Sequence, residues 1–376
     1  MNIVFVIDTY NDSGGGSVAT KRLVDELKKR GHIVKIVAAI HEDPKDPNFF
    51  AVPSFVMPIG GLIQKNMKFY FGKNKKNVFK KAMQGADIVQ IQYPFLMAKG
   101  ASRMAKKLNI PIIGTFHVQP QNILLAINKK NKIYEKIIWR LFRYFLFDRV
   151  DQIVTPSNFA SQLLISNGIT GNITSISNGI TKEYTKQEVE RPDWFRNHFV
   201  IISVGRHAVE KRHTLIIEAI KKSKYASDIQ LILAGKGELT EELKEIGKTL
   251  PIMPYIKYIS TEDKIRYLNT ANLYIHSSII ELESLATAEA IGCGLPCLIS
   301  NSVNSAAPQF ALNKELLFIA DDVEDLASKI NFCYENQTKL KSIEMQNKAL
   351  DMAKNYNIDL TVDKYESLYK KITKHK

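Results

Sequence analysis

The sequence is poor in cysteine, with only Cys293, Cys297 and Cys333 among 376 residues. Three cysteines cannot pair evenly, and their spacing matches no zinc-binding pattern, which argues against a disulfide framework and a structural zinc site. Unpaired thiols suit a reducing cytosol. We therefore expect a cytoplasmic protein.

Long apolar runs are also missing. No stretch approaches the roughly 20 apolar residues that a membrane-spanning helix needs. Residues 1–8 have neither a basic leader nor a cleavage site, so we expect them to form a first β-strand and not a signal peptide. The apolar share of 45% and the charged share of 24% are ordinary for a globular protein of about two domains.

Acidic residues are outnumbered, because 38 aspartates and glutamates face 52 lysines and arginines, leaving a net charge of +14. Such a charge favours polyanionic partners: nucleic acid, acidic phospholipid heads or phosphorylated substrates. Two segments concentrate the excess. The first runs from Lys65 to Lys81, within a stretch of residues 62–81 that has seven lysines, several aromatics and no acid.

The second basic segment runs from Lys129 to Arg149 and predicts an amphipathic helix. Lys136, Arg140 and Arg143 would form a cationic stripe. The apolar stripe would consist of Ile137, Ile138, Leu141, Phe142, Phe145 and Leu146. Such a helix can lie in an anionic membrane interface, where each exposed cation adds about 1 kcal/mol; alternatively, its apolar stripe is core. Aromatics among cations also suit nucleic acid, but no nucleic-acid-binding fold signature is present, so we expect no such partner.

Strand patterns rich in Val and Ile alternate with helical patterns throughout the chain. The strand patterns lie at 2–8, 33–39, 87–91, 111–116, 150–155, 172–177, 199–204, 229–234, 255–260, 272–277 and 296–300. This alternation predicts an α/β fold of parallel sheets, with sites at the carboxyl ends of the strands. A change near Gly179 predicts two doubly wound domains facing a cleft, at 1–178 and 179–355.

Residues 278–296 hold the most informative pattern. Glu281 and Glu289 flank the start of a short helix predicted at 284–291, for which Glu283 and Ser284 offer early negative charge and an N-cap. A helix N-terminus is a natural seat for a phosphate. The two acids could grip hydroxyl groups on either side of it, as in a nucleotide-sugar. The alternative is a surface helix with two solvated acids.

Three glycine-containing loops follow predicted strands. Their glycines are Gly15 and Gly16, then Gly205, then Gly235 and Gly237. Glycine lets the backbone come close to a ligand, although a plain tight turn is the alternative.

Three further side chains lie at strand ends, where α/β active sites form. Arg206 and Lys211 could bind phosphate oxygens, or they could belong to a solvated basic turn. His117 follows the strand pattern 111–116 and could instead be a structural, hydrogen-bonded histidine.

Taken in chain order, the motifs are the loop of Gly15 and Gly16, His117, Gly205-Arg206 with Lys211, Gly235-x-Gly237, and Glu281-x7-Glu289. In that order they resemble the motifs of the retaining GT-B glycosyltransferases of family 4, over essentially the whole chain. The Glu-x7-Glu block that ends in Gly294-Leu295-Pro296 is the most specific of them. The resemblance implies a nucleotide-sugar donor, no metal in catalysis, no cofactor and retention of the anomeric configuration. It also implies a C-terminal helix, 356–376, that packs back on the first domain.

The resemblance also implies residue roles. The loop of Gly15 and Gly16 approaches the donor phosphates, Arg206 and Lys211 neutralise the diphosphate, and Glu289 holds the ribose. His117, Glu281, Arg206 and Lys211 form the catalytic set. The donor-binding set is Gly15, Gly16, Gly205, Arg206, Lys211, Gly235, Gly237, Glu281, Glu283, Ser284, Leu285 and Glu289.

The chain departs from the family pattern at three places, one of which is the stretch Asn304-Ser305-Ala306, where a Gly and a Glu are often seen after the last strand. Leu282, Glu283 and Ser284 stand where Pro-Phe-Gly is common, and Arg212 stands where Gly is common. These departures leave the donor sugar open.

The expected function is transfer of a hexose, with UDP as the favoured nucleotide, to a lipid, lipid-linked or envelope-polysaccharide acceptor. The enzyme would be peripheral, at the inner face of the cell membrane. The alternatives are a soluble glycosyltransferase with a small-molecule or protein acceptor, and a non-catalytic polyanion-binding protein.

Overall fold

The computed structural model describes residues 1–10, 14–39, 46–55, 69–129, 131–195 and 197–374. The chain forms two compact units. Unit 1 consists of Met1–Gly179 together with Ile358–Lys376, and unit 2 of Ile180–Asn357.

Unit 1 contains a seven-stranded parallel sheet with the order β3-β2-β1-β6-β7-β8-β9, beside a small antiparallel pair, β4 and β5. Chain order reverses between β1 and β6, which places their carboxyl ends at a topological switch point. The strands are β1 (Asn2–Thr9), β2 (Ile33–Ala39), β3 (Phe49–Val52), β4 (Ser54–Phe55), β5 (Phe71–Gly72), β6 (Ile88–Ile91), β7 (Ile112–Thr115), β8 (Gln152–Thr155) and β9 (Ile173–Ser175).

Helices cover the sheet of unit 1. The first six are α1 (Gly15–Lys29), α2 (Lys76–Met83), α3 (Leu96–Lys107), α4 (Pro120–Ala126), α5 (Lys132–Phe145) and α6 (Asn158–Ser166). Because both faces of a parallel sheet are covered, its central strands are nearly continuous apolar runs. Residues 3–7 of β1 are accordingly buried without a break.

Unit 2 has a six-stranded sheet with the order β12-β11-β10-β13-β14-β15, and its paired strands are all parallel. The strands are β10 (Phe199–Val204), β11 (Ile229–Ala234), β12 (Tyr255–Lys257), β13 (Leu273–His276), β14 (Cys297–Ser300) and β15 (Leu317–Phe318). The helices are α7 (His213–Lys222), α8 (Thr240–Gly247), α9 (Thr261–Thr270), α10 (Leu285–Gly292), α11 (Val323–Glu335), α12 (Gln337–Leu340) and α13 (Ile343–Lys354). The switch point lies between β10 and β13.

The last helix, α14 (Ile358–Lys374), belongs to unit 1 and contacts α1. Arg30, at the end of α1, pairs with Glu366 at 3.2 Å. On the buried side, the Tyr369 hydroxyl donates to Gln90 Oε1, and Gln90 Nε2 donates to Thr115 Oγ1 at 3.1 Å. Polar contacts thus connect α14 to β6 and β7.

Replacing Tyr369 with phenylalanine should lower the free energy of unfolding by about 1–3 kcal/mol, because Gln90 Oε1 would stay buried without its donor. Urea unfolding measures the change. The matched control is Tyr134→Phe on the exposed face of α5, for which a change within about 0.5 kcal/mol is expected. Equal effects of the two substitutions would contradict the importance of the Tyr369–Gln90 contact.

Candidate functional site

The loops that follow β10 and β13 are fastened to each other in unit 2. The Ile279 amide donates to the Glu210 carbonyl at 3.0 Å. The hydroxyls of Ser277 and Ser278 donate to the carbonyls of Lys211 and Glu210. Because β10 and β13 are neighbouring strands, the predicted cationic loop and the predicted acidic loop meet at the carboxyl ends of these strands.

Where the two loops meet, Lys211 Nζ forms an ion pair with Glu281 Oε1. His276, the last residue of β13, lies with its Nε2 3.4 Å from the same carboxylate oxygen. Burial by itself would raise the pKa of Glu281, but Lys211 and His276 together hold that pKa below its usual value. Burial also lowers the pKa of His276. Glu281 is therefore an ionised carboxylate, suited to accepting hydrogen bonds.

Besides Lys211, two arginines lie on the loop after β10. Arg206 pairs with Glu210 at 2.7 Å. Arg212 has a left-handed backbone, with φ of 53°, and its Nε pairs with Asp321 at 2.7 Å. The charge of Arg212 is therefore matched by Asp321.

The glycines of unit 2 have different surroundings. A Cβ at Gly235 would lie 1.9 Å from the Gly205 carbonyl oxygen, and one at Gly237 would lie 2.3 Å from the His207 carbonyl oxygen. At Gly205 itself a Cβ would make ordinary contact, 3.6 Å from Lys211 Cδ. Gly235 and Gly237 thus allow two loops to pack backbone to backbone.

The start of α10 corrects one expectation. Ser284 occupies the N-cap position, but its backbone is left-handed, with φ of 84°, and its hydroxyl caps no backbone N–H. The Ser284 Oγ instead lies 2.7 Å from Thr287 Oγ1. Glu283 is buried just before the helix, and the first turn, which begins at Leu285, contains no acid. A serine in the conformation that glycine favours cannot place its side chain as an ordinary cap.

Glu289 lies inside α10 and is 3% exposed. Its Oε2 accepts from Lys264 Nζ of α9 at 2.9 Å, and Lys264 also lies over the ring of Tyr184. Like the carboxylate of Glu281, this one is therefore paired with a cation of unit 2.

His117 and the glycine loop lie together in unit 1. His117 Nε2 is 2.8 Å from Gln92 Oε1, and burial lowers the pKa of His117 to about 4. A Cβ at Gly16 would lie 2.4 Å from the Tyr93 hydroxyl and 3.1 Å from His117 Cβ, whereas Gly15 has open space. The first sheet thus holds these predicted residues at its switch point.

Sequence reasoning missed two buried titratable residues at the ends of strands. Asp8, in β1, accepts from the Gly72 amide at 3.0 Å, and burial raises its pKa to about 7. His276 ends β13, as described. The rule that singled out His117, a polar residue at the carboxyl end of a strand, would have found both.

The two basic segments differ. Residues 65–68 lie outside the described residues. In the rest of the first segment, Phe69, Phe71 and Phe79 are buried, while Lys73, Lys75, Lys76, Lys80 and Lys81 are exposed. These three phenylalanines are therefore core, while Tyr70 is half-buried.

Helix α5 of the second segment has three faces. Trp139 and Phe142 are buried, followed by Leu146 just beyond the helix. Lys132, Lys136 and Arg140 form an exposed cationic face. The third face, here called the apolar stripe, is between 44% and 66% exposed and consists of Ile133, Tyr134, Ile137, Leu141 and Tyr144. The predicted apolar stripe is therefore divided: Phe142 and Leu146 are core, as the packing alternative expected, whereas Ile137 and Leu141 are exposed.

Within the described ranges, no helix has the length and apolarity to span a bilayer. The same residues hold no cluster of three or more His, Cys, Asp or Glu side chains with the arrangement of a metal site.

Two family models match consecutive parts of the chain. Glycosyltransferase Family 4 matches residues 13–184, and Glycosyl transferases group 1 matches residues 185–355. The chain is 26% identical over 317 residues to an alpha-monoglucosyldiacylglycerol synthase of Streptococcus pneumoniae, covering 79% of this chain and 70% of that protein. It is 23% identical over 299 residues to a synthase of the same name from Acholeplasma laidlawii, covering 74% of each.

A shorter match, at 26% identity over 211 residues, is to the UDP-Gal:alpha-D-GlcNAc-diphosphoundecaprenol alpha-1,3-galactosyltransferase of Escherichia coli, covering 52% of this chain and 54% of that enzyme. Among solved structures, Anabaena HepE in complex with UDP aligns with a TM-score of 0.75 at 13% identity, covering 99% of this chain and 100% of HepE. The predicted fold class is confirmed: the chain is α/β with the GT-B fold.

The Lys211–Glu281 pair generates a pH prediction. A carboxylate whose pKa is lowered on folding contributes stability above its unfolded pKa, and this contribution is lost as the pH falls towards the folded value. Between pH 6 and pH 3, unit 2 of the wild type should therefore lose more stability than unit 2 of Glu281→Gln. Hydrogen exchange of peptides from β10 and β13, corrected for intrinsic rates, measures the difference.

The matched control for this prediction is Glu245→Gln, which changes an exposed glutamate of α8. It should leave the pH dependence of exchange in β10 and β13 as in the wild type. If the stability of unit 2 fell equally with pH in the wild type and in Glu281→Gln, the lowered pKa of Glu281 would be refuted.

Proposed function

Because the chain belongs to glycosyltransferase family 4, we propose that it transfers a hexose from a nucleotide-sugar, with UDP as the nucleotide, to a lipid or lipid-linked acceptor. Transfer proceeds with retention of configuration and without a metal ion. Unit 2 binds the donor and unit 1 the acceptor. The enzyme acts at the cytoplasmic face of the cell membrane as a peripheral protein.

The donor assignment rests on the charges at the carboxyl ends of β10 and β13 in unit 2. Arg206 and Lys211 supply cations on the loop after β10, and Lys211 contacts Glu281, whose loop leads into α10. Cations together with a helix N-terminus suit a diphosphate. Glu281 stays ionised and can accept hydrogen bonds from sugar hydroxyls. Glu289 can do the same for a ribose, with Lys264 holding its carboxylate in place. Structures of HepE contain UDP or UDP-glucose, which favours a UDP-sugar here.

The reaction breaks the bond between the anomeric carbon and the phosphate oxygen and forms a bond from that carbon to the acceptor oxygen on the same face. Negative charge builds on the departing diphosphate, where Arg206, Lys211 and the α10 N-terminus stabilise it. The acceptor proton passes to the departing phosphate oxygen. Glu281 does not act as a covalent nucleophile, because Lys211 already neutralises its charge.

The apolar stripe of α5 is the observation that supports a lipid acceptor. Single exposed apolar residues are ordinary on protein surfaces, but five on one helix face form a contiguous patch. The cationic face of Lys132, Lys136 and Arg140 lies beside it. An apolar stripe bordered by cations suits the interface of an anionic membrane. The relatives named for glucosyldiacylglycerol and diphosphoundecaprenol also have lipid acceptors.

The proposal predicts that the purified protein transfers hexose from UDP-glucose or a close UDP-hexose to diacylglycerol or lipid extract presented in anionic vesicles, with EDTA present. NMR of the glycolipid should show the anomeric configuration of the donor. Transfer only to water-soluble acceptors would support a soluble glycosyltransferase instead. Failure to bind any nucleotide-sugar in a panel would support a non-catalytic protein.

The Glu289→Ala variant tests the donor site in the same assay. It should weaken UDP binding by at least about tenfold, because a charge-assisted hydrogen bond contributes about 1.5–3 kcal/mol. Glu241→Ala, which removes an exposed acid of α8, is the matched control and should bind UDP like the wild type. Unchanged binding by Glu289→Ala would remove this residue from the ribose site.

The apolar stripe yields a separate prediction for membrane binding. Ile137→Ser/Leu141→Ser should weaken binding to anionic vesicles by about 100-fold, since each apolar side chain buried in lipid contributes at least about 1.5 kcal/mol. Sedimentation with vesicles at physiological salt measures the loss. The control, Met253→Ser/Ile343→Ser, removes two exposed apolar residues of unit 2 and should bind normally. Equal binding by both double variants would refute attachment through α5.

A further inference from the structure

Two glutamines lie two residues apart, Gln90 in β6 and Gln92 just beyond it. Gln90 bonds to Thr115 of β7, and Gln92 bonds to His117, which follows β7. Gln90 is enclosed between Tyr369 and Thr115, with both ends of its amide hydrogen bonded. Gln92 lies just beyond β6 and is 1% exposed. Its Nε2 has no hydrogen-bond partner among the described residues, and its Oε1 bonds to His117. Gln90 thus connects α14 to β7 through its two hydrogen bonds, whereas the amide of Gln92 is hydrogen bonded to His117.

The Gln92–His117 contact determines where the imidazole carries its proton. A carbonyl oxygen only accepts, so the nitrogen 2.8 Å from Gln92 Oε1 must be protonated. Burial lowers the pKa of His117 to about 4, so the ring is neutral near pH 7. A neutral imidazole with a proton on Nε2 has a lone pair on Nδ1. His117 can therefore accept a hydrogen bond at Nδ1 but cannot donate one there.

The His117 ring is also confined by packing. The absent side chain of Gly16 leaves room for His117 Cβ and Cγ, which a Cβ at Gly16 would approach to 3.1 and 3.2 Å. The Tyr93 ring lies with its centroid 6.0 Å away. On another side is a small cavity with room for about one water molecule, which Gln92 and His117 line together with Thr361 and Tyr365 of α14.

The titratable side chains that face His117 are those of Tyr93 and, across the cavity, Tyr365. Burial is the cause of the lowered pKa, and no charged side chain within the described part of the chain contributes to it. The protonation of His117 therefore depends on burial and on its hydrogen bond with Gln92.

We propose that Gln92 is a positioning residue that holds His117 in the neutral form with the proton on Nε2. Nδ1 then accepts a hydrogen bond from a hydroxyl of the transferred sugar. The second statement rests on the proposed function, while the first concerns the ligand-free protein. Gln92 itself touches neither substrate.

Long-range ¹⁵N–¹H correlation spectra of the ligand-free protein test the first statement, with the His117 signals identified by their loss in His117→Ala. The expected pattern is that of a proton on Nε2, unchanged from pH 8 to pH 5. A proton on Nδ1, or a titration near pH 6.5, would overturn the proposal. These spectra test the tautomer of His117 even if no sugar is transferred.

Gln92→Glu tests the consequence for activity. The carboxylate would still accept from Nε2, but its charge would raise the pKa of His117 and keep Nδ1 protonated at neutral pH. kcat should fall about three- to tenfold near pH 6, as expected for one lost hydrogen bond, and recover as the pH rises above the new pKa. Gln92→Leu should lose activity without recovery at high pH.

The matched control is Gln90→Glu, which places a carboxylate two residues away, where it contacts Tyr369 and Thr115 instead of His117. Its His117 spectrum and its pH profile should remain those of the wild type. The same pH shift in Gln90→Glu and Gln92→Glu would refute a specific role for Gln92. If the wild type transferred no hexose to any acceptor, the proposed function would fail, while the spectra would still test the tautomer.

Discussion

The ion pair between Lys211 and Glu281 is the interaction around which unit 2 arranges its candidate site. A buried carboxylate is costly unless a cation and hydrogen bonds compensate for its lost hydration. Here the loops after β10 and β13 are joined through the carbonyls of Glu210 and Lys211, which brings the two charges together. On the proposed function, a diphosphate meets a site whose charges are already balanced, so it must share Lys211 with Glu281 instead of meeting a bare cation.

Much of this arrangement could be predicted from the sequence because parallel sheets make strand ends informative. Apolar runs located the strands, and neighbouring strand ends bring together residues as distant in sequence as Lys211 and Glu281. The edge strands β3 and β15 were not predicted. β15 has only two residues, and β3 lies between Pro47 and Pro53, which argue against a strand. Nor could spacing reveal Gln92 as the partner of His117. That contact depends on the register between β6 and β7, which pairs Ile91 with Gly114.

Local chemistry was harder to predict where the chain departs from its family. Ser284 was expected to cap α10, yet both it and Arg212 have left-handed backbones, a conformation that glycine adopts most readily. This conformation costs a residue with a Cβ roughly 1–2 kcal/mol. Contacts offset part of that cost, through Asp321 for Arg212 and Thr287 for Ser284. A sequence motif does not reveal a left-handed backbone at a residue other than glycine, so these two conformations could not be predicted from it.

The five glycines first grouped by one rationale separate into two kinds. At Gly16, Gly235 and Gly237 a Cβ would collide with the protein itself, so close packing within each unit is sufficient to require glycine. Gly15 and Gly205 meet no such obstruction. Packing within the protein does not account for glycine at these two positions, where close backbone approach to a ligand stays a prediction. Both follow the first strand of their unit, β1 and β10, beside the switch points where doubly wound sheets bind their ligands.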